Sequence, residues 1–125
     1  MITAQSMGME LPIGRTPKPG KGSVLEAHTG RVNPGRIEEV ISQSAEVCEF
    51  VEANGAVNAR LLQLTYAGLA SGMTVLTWEL ENMQAHARAA AAWFSEAGLA
   101  LQAKMMTADP ANVPVSSALY NEIPL

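Results

Sequence analysis

The chain has a single cysteine, Cys48, among 125 residues, so it offers neither an intrachain disulfide nor a cysteine-based zinc cluster. At helical apolar spacing, Cys48 is expected to be a small core residue. Aromatic residues make up only 5% of the sequence. Basic residues are also scarce: eight Lys and Arg are scattered along a chain of net charge −4. A nucleic-acid surface needs clustered positive charge to displace counterions, and that class is excluded. No apolar run approaches the ~20 residues that cross a bilayer. The opening MITAQSMGMELPIG lacks the basic start and apolar block of a secretory signal, so a cytoplasmic location is expected. There is no glycine-rich phosphate loop, no nucleophile elbow and no paired-histidine metal motif. Nucleotide cofactors, covalent acyl chemistry and a metal are therefore not expected.

What is present is a well-supplied core: 48% of residues are hydrophobic, ample for one domain. Residues 1–22 end in PIGRTPKPGKG, and proline and glycine together disfavour helix and central strand. They are expected as a flexible leader, or as an arm laid across a partner with Met7, Met9, Leu11 and Ile13 as anchors. The folded domain is expected over 23–125. SVLEAHTGRV alternates as a strand, with Leu25, Ala27 and Thr29 on one face and Val24, Glu26 and His28 on the other. Asn33-Pro34 reads as an N-cap and first helical residue. Ile37, Val40, Ile41, Ser44, Val47, Cys48 and Val51 then form an apolar helical stripe, with Glu38, Glu39, Glu46, Glu49 and Glu52 mostly off it. Asn54-Gly55 stops that helix.

VNARLLQLTY and MTVLTWEL read as two strands joined by a short loop, hence antiparallel. Asn82 caps a second, alanine-rich helix whose apolar face is expected at Met83, Ala87, Ala90, Phe94 and Ala97, with Trp93 flanking it and a bend or break near Gly98. NVPVSSALYNEIPL supplies a last strand. The order β-α-β-β-α-β predicts an α+β, ferredoxin-like fold: a four-stranded antiparallel sheet covered by helices on one face. The uncovered face, expected to carry Val24, Leu61, Val75 and Ala118 among polar residues, calls for a second copy, so a homodimer is expected.

With that element order, with TWELEN ending a strand at Glu81-Asn82, and with the terminal SSALYNEIP, the chain resembles the dimeric α/β-barrel superfamily. The likeness is to its antibiotic-biosynthesis monooxygenase, NIPSNAP and EthD-like branches. The resemblance implies two ferredoxin-like sheets paired into one barrel and a ligand held between sheet and helices. It also implies a range of activities that includes cofactor-free monooxygenases, cyclases and isomerases, haem-handling enzymes and non-enzymatic proteins.

His28 is the leading candidate for chemistry, because imidazole exchanges protons readily near neutral pH and Glu26 stands on the same face. Tyr120 or Gln63 is expected to steer substrate oxygens. Tyr66 and Trp78 offer flat surfaces for a ring substrate. Gln63, Thr65, Thr77 and Glu79 form a polar set, Arg60 can hold an anionic group, and His86, early in the second helix, can donate or accept a hydrogen bond. Each also has a plain structural reading: strand aromatics are commonly core, and strand polar residues commonly face water. The function expected is a small cofactor-independent enzyme acting on an aromatic or polyketide-like molecule by cyclisation, isomerisation or oxygenation, with His28 as general base. The alternative is a non-catalytic dimer that binds a ligand or partner in the same cavity. A haem protein would need His28 or His86 as axial ligand.

Overall fold

The computed structural model describes residues 8–64 and 72–122. Its elements are β1 (Gly8–Leu11), β2 (Val24–Val32), α1 (Ile37–Ala53), β3 (Val57–Leu64), β4 (Met73–Leu80), α2 (Met83–Trp93), α3 (Glu96–Met105) and β5 (Asn112–Asn121). The fold is α+β, with one five-stranded sheet in the order β1-β3-β4-β2-β5 and every neighbouring pair antiparallel. Among the described residues no helix is long and apolar enough to cross a membrane.

Five strands, not the four expected, arise because part of the leader joins the sheet. Gly8 to Leu11 pair with Leu64 to Leu61 and so satisfy backbone groups that β3 would otherwise leave open at its edge. The rest of the leader follows the body of this same chain. Ile13 packs on the core, Arg15 pairs with Glu52, and the Lys18 N–H donates to Glu52 at 2.9 Å. Further along, the Asn58 side chain donates to the Gly20 carbonyl and the Gly22 N–H donates to Glu79 at 3.0 Å.

Helix α1 starts later than Asn33-Pro34 suggested. Residues 33–36 form a turn closed by the Arg36 N–H on the Asn33 carbonyl at 3.0 Å, with Gly35 at φ +76°. A positive-φ glycine third is the requirement of a type II turn and proline second is favoured there, so the helix follows the turn. The expected stripe does face inward, with Val40, Ser44, Val47, Cys48 and Val51 buried. Glu52 is buried as well, against expectation, because Arg15 and two backbone N–H groups receive its carboxylate.

The second helical stretch is capped as expected, with Asn82 Oδ1 accepting from the Ala85 N–H at 2.8 Å. Its inward face only partly matches the expected one. Ala85 is buried and Ala89 and Trp93 pack on the core, whereas Met83 and Phe94 are exposed. A run of alanines gives no strong stripe, so the orientation is settled by Trp93, which meets Phe50 edge-on at 5.8 Å between ring centroids. The bend comes at Phe94-Ser95, where Ser95 caps α3. Gly98 enables it: a Cβ there would stand 2.1 Å from the Trp93 carbonyl oxygen.

The core joins Val47, Cys48 and Val51 of α1 and Ala85 of α2 to Val24, Ala59, Trp78 and Leu80 of the sheet. Val24 and Leu61 are thus buried, not on the uncovered face as expected. That other face carries exposed Leu25 and partly exposed Ala27, Val75 and Thr77.

Candidate functional site

Strand alternation turns Val24, Glu26 and His28 toward the helices, and only Val24 is surrounded by apolar core. In register, Glu26 stands opposite Trp78 of β4, while His28 stands between Leu76 of β4 and Ser117 of β5. The His28 ring stacks on the Trp78 indole, with centroids 4.8 Å apart and planes 26° from parallel. Trp78 is 7% exposed, so it forms a rigid platform. His28 Nδ1 lies 2.9 Å from Ser117 Oγ, and His28 Nε2 lies 3.5 Å from Glu26 Oε2. A carboxylate next to Nε2 favours a proton on that nitrogen. Nδ1 then keeps its lone pair and accepts from the Ser117 hydroxyl.

His86 reaches the same carboxylate from α2. Because Asn82 starts the helix directly after β4, His86 falls one turn in, with Nδ1 2.5 Å from Glu26 Oε1. The contact is close but off the direction of a hydrogen bond, so among the described residues this buried nitrogen has no conventional partner. The Trp78 indole N–H is likewise buried, with no aligned acceptor among the described residues.

Glu26 is therefore the centre of the cluster. Its side chain is only 14% exposed. Burial by itself raises a carboxyl pKa. Here the hydrogen bond from His28, the charges of His86 and His28 and a smaller contribution from the Trp78 N–H together outweigh it, and Glu26 is held below the ordinary glutamate value. The two imidazoles lie on its two oxygens, and among the described residues they are not grouped with it as ligands of one metal ion.

Beside this cluster, between sheet and helices, lies a cavity of about 300 Å³. Val40, Val47, Leu76, Trp93, Phe94 and Met105 give it apolar walls, and Glu26, His28, Ser116 and Ser117 bring polar groups to it. A mostly apolar hollow with a few convergent polar groups is the usual form of a small-molecule site.

The structure thus brings together four of the expected residues: Glu26, His28, Trp78 and His86. Others stand apart. Tyr120 is in register with Leu25, on the opposite sheet face, and is 58% exposed. Thr77 is in register with Ala27 on that same opposite face, and Arg60, opposite Thr77, pairs with Glu10 of β1. Glu79 accepts from Gly22 and Asn58 and so holds the leader. Gln63 shares the inner face but sits on β3, with β4 between it and β2, and does not line the cavity. Thr65 and Tyr66 lie outside the described residues. Ser117 was not among the expected residues. Its signal is alternation along the last strand, which becomes informative once that strand is known to lie beside β2. No family model matches the chain, and no curated protein matches it.

Proposed function

We propose that the chain is a small cofactor-independent enzyme that removes a proton from an aromatic or polyketide-like substrate, with His28 as general base. Cyclisation, isomerisation or oxygenation would follow from the resulting anion. The observation that carries this reading is His28 itself: stacked on Trp78, in contact with Glu26, and facing a largely apolar hollow. Glu26 fixes Nε2, so the basic lone pair is on Nδ1. Ser117 covers that atom and is exposed enough to rotate aside when an acidic O–H or C–H enters. Trp78, packed beneath the imidazole, keeps the ring from turning away as it takes up the proton.

We further propose that β2 to β5, in the order β3-β4-β2-β5, are a ferredoxin-like unit that dimerises through its uncovered face into an α/β barrel. Exposed Leu25 and Tyr120 on that face support a partner there. Such a dimer should bury more than ~1,200 Å² in total, and sedimentation as a monomer at micromolar concentration would refute it.

The base is tested without knowing the natural substrate. Hydrogen–deuterium exchange at the acidic carbon of 1,3-diketones and hydroxyaryl ketones is followed by NMR in D₂O. The protein should accelerate it, and His28→Ala should reduce that acceleration by about 10²–10⁴. Binding of these compounds without any acceleration would instead favour the non-catalytic ligand-binding dimer.

A further inference from the structure

Ser117, His28 and Glu26 form a continuous chain of polar contacts, hydroxyl to imidazole to carboxylate. Each member has the environment its part requires. Ser117 is solvent-accessible on β5, at the edge of the sheet, and borders the cavity. His28 is held by stacking on Trp78. Glu26 is largely shielded and is held from its far side by His86. Neither nitrogen of His28 is free: Nε2 faces the carboxylate and Nδ1 faces the serine hydroxyl, and in the tautomer the carboxylate favours, Nδ1 carries the lone pair. The proton His28 is best placed to accept is therefore the one on Ser117 Oγ. A serine with a base on its hydroxyl and a carboxylate behind that base is an activated nucleophile, recognised by geometry and not by order in the chain.

We infer that Ser117 is the nucleophile of a Ser117–His28–Glu26 acyl-transfer site, and that it hydrolyses esters whose small apolar acyl group sits in the adjoining cavity. This goes beyond the proton-abstraction reading: it uses the same histidine but gives the substrate a different atom to meet. Ser117 Oγ bonds to the ester carbonyl carbon as its proton passes to His28 Nδ1. The carbon–alkoxy bond then breaks, and the alcohol leaves with that proton. Water adds to the acyl-serine, again giving a proton to His28. The acyl–Oγ bond then breaks as His28 returns that proton to Oγ, which releases the carboxylic acid and restores both Ser117 and the neutral His28. Glu26 is a positioning residue that keeps Nδ1 the basic nitrogen and offsets the charge the ring acquires. The oxyanion needs N–H donors. Among the described residues no strand lies on the outer side of β5, and the register shift opposite Thr29/Gly30 leaves Val115, two residues before Ser117, out of the ladder.

The experiment uses p-nitrophenyl acetate, butyrate and hexanoate, together with an alkyl fluorophosphonate that reports a nucleophilic serine by its mass. Turnover should be detectable, with one phosphonate per chain located on Ser117 by peptide mass spectrometry. Ser117→Ala should abolish both, and Ser117→Cys should restore acyl transfer from the activated esters. His28→Ala should lower turnover by about 10²–10⁴, and Glu26→Gln should lower kcat with little change in KM. Because Ser117 is exposed, its variants should keep the wild-type circular dichroism. Labelling elsewhere, ester turnover unchanged in Ser117→Ala, or no turnover and no labelling would each overturn the inference. If ketone exchange depends on His28 but Ser117 is never acylated, this inference fails and the base survives. If Ser117 is acylated without ketone exchange, the reverse holds.

Discussion

Replacing Glu52 should be the most damaging single change outside the apolar core. Its buried carboxylate accepts from the Arg15 guanidinium, the Lys18 N–H at 2.9 Å and the Ala59 N–H at 3.0 Å. Glu52→Ala removes all three acceptor contacts. It leaves one cation without its anion and leaves the Lys18 and Ala59 N–H groups without their carboxylate acceptor. Breaking a buried pair from one side costs about 3–5 kcal/mol. For a domain of this length that corresponds to a fall in Tm of roughly 10–20 °C. Arg15→Ala should cost less, since Glu52 keeps its two backbone donors, and the double variant should cost less than the sum of the singles. Thermal unfolding followed by circular dichroism measures all three. Burial raises the Glu52 pKa, but the Arg15 contact and the two backbone donors outweigh it and hold the carboxyl below its ordinary value. Between that depressed value and the unfolded value of about 4.3, the unfolded chain binds more protons than the folded one. The stabilisation is therefore complete above the unfolded value and is lost as pH falls through the folded one. Glu52→Gln should flatten the stability curve in that window. A fall of less than about 2 °C in Glu52→Ala would refute the reasoning, and would mean that the leader is not clamped to α1.

Other consequences follow from single contacts. The Glu26 carboxyl, followed by ¹³C NMR, should titrate below the usual glutamate range, and His28→Ala or His86→Ala should move it upward, because burial would then be less opposed. An unmoved titration in both variants would break the cluster as described. Gly98→Ala should destabilise by about 1–3 kcal/mol despite alanine's better helix propensity, since its Cβ would collide with the Trp93 carbonyl; a neutral or stabilising result in denaturant titration would contradict the close approach. Cys48 is buried, and burial is the main cause that pushes its thiol up to about 11, with Arg15 opposing and Glu52 adding. A thiol reagent such as DTNB should therefore react only as fast as the chain opens, and rapid labelling of the native protein would count against it.

The parts of the fold legible in the sequence are those fixed by short-range patterns. Alternation placed Glu26 and His28 on one face, and a 3.6-residue stripe identified the buried side of α1. What escaped depended on partners remote in the chain. Gly8 to Leu11 carry no strong strand signal; they pair because β3 has an open edge. Glu52 sits off the apolar stripe and is buried only because Arg15 comes to meet it. At the end of α2 a run of small apolar residues gave no strong stripe, so the pattern could not decide whether Trp93, expected only to flank the apolar face, or the adjoining Phe94 turns into the core. At the site, period two along β5 separates Ser117 from Tyr120, but which of them meets His28 depends on the register between β5 and β2. That register decides the candidate nucleophile, and no local motif encodes it.

The sheet order also dictates when this site can exist. Strand β2 emerges first of the central pair, yet both of its neighbours, β4 and β5, come late: Val24 is in register with Leu80 on one side and Asn121 on the other. During synthesis α1 and the β3–β4 ladder can form while one edge of β2 still waits for β5. Ladders between distant segments carry a loop-closure cost before they return any stabilisation. His28 lies on the strand that waits and Ser117 on the strand that arrives, so a ribosome-bound chain that already holds most of its core would still have an incomplete site. Docking of β5 is the event that would bring Ser117 to His28 and complete the proposed site.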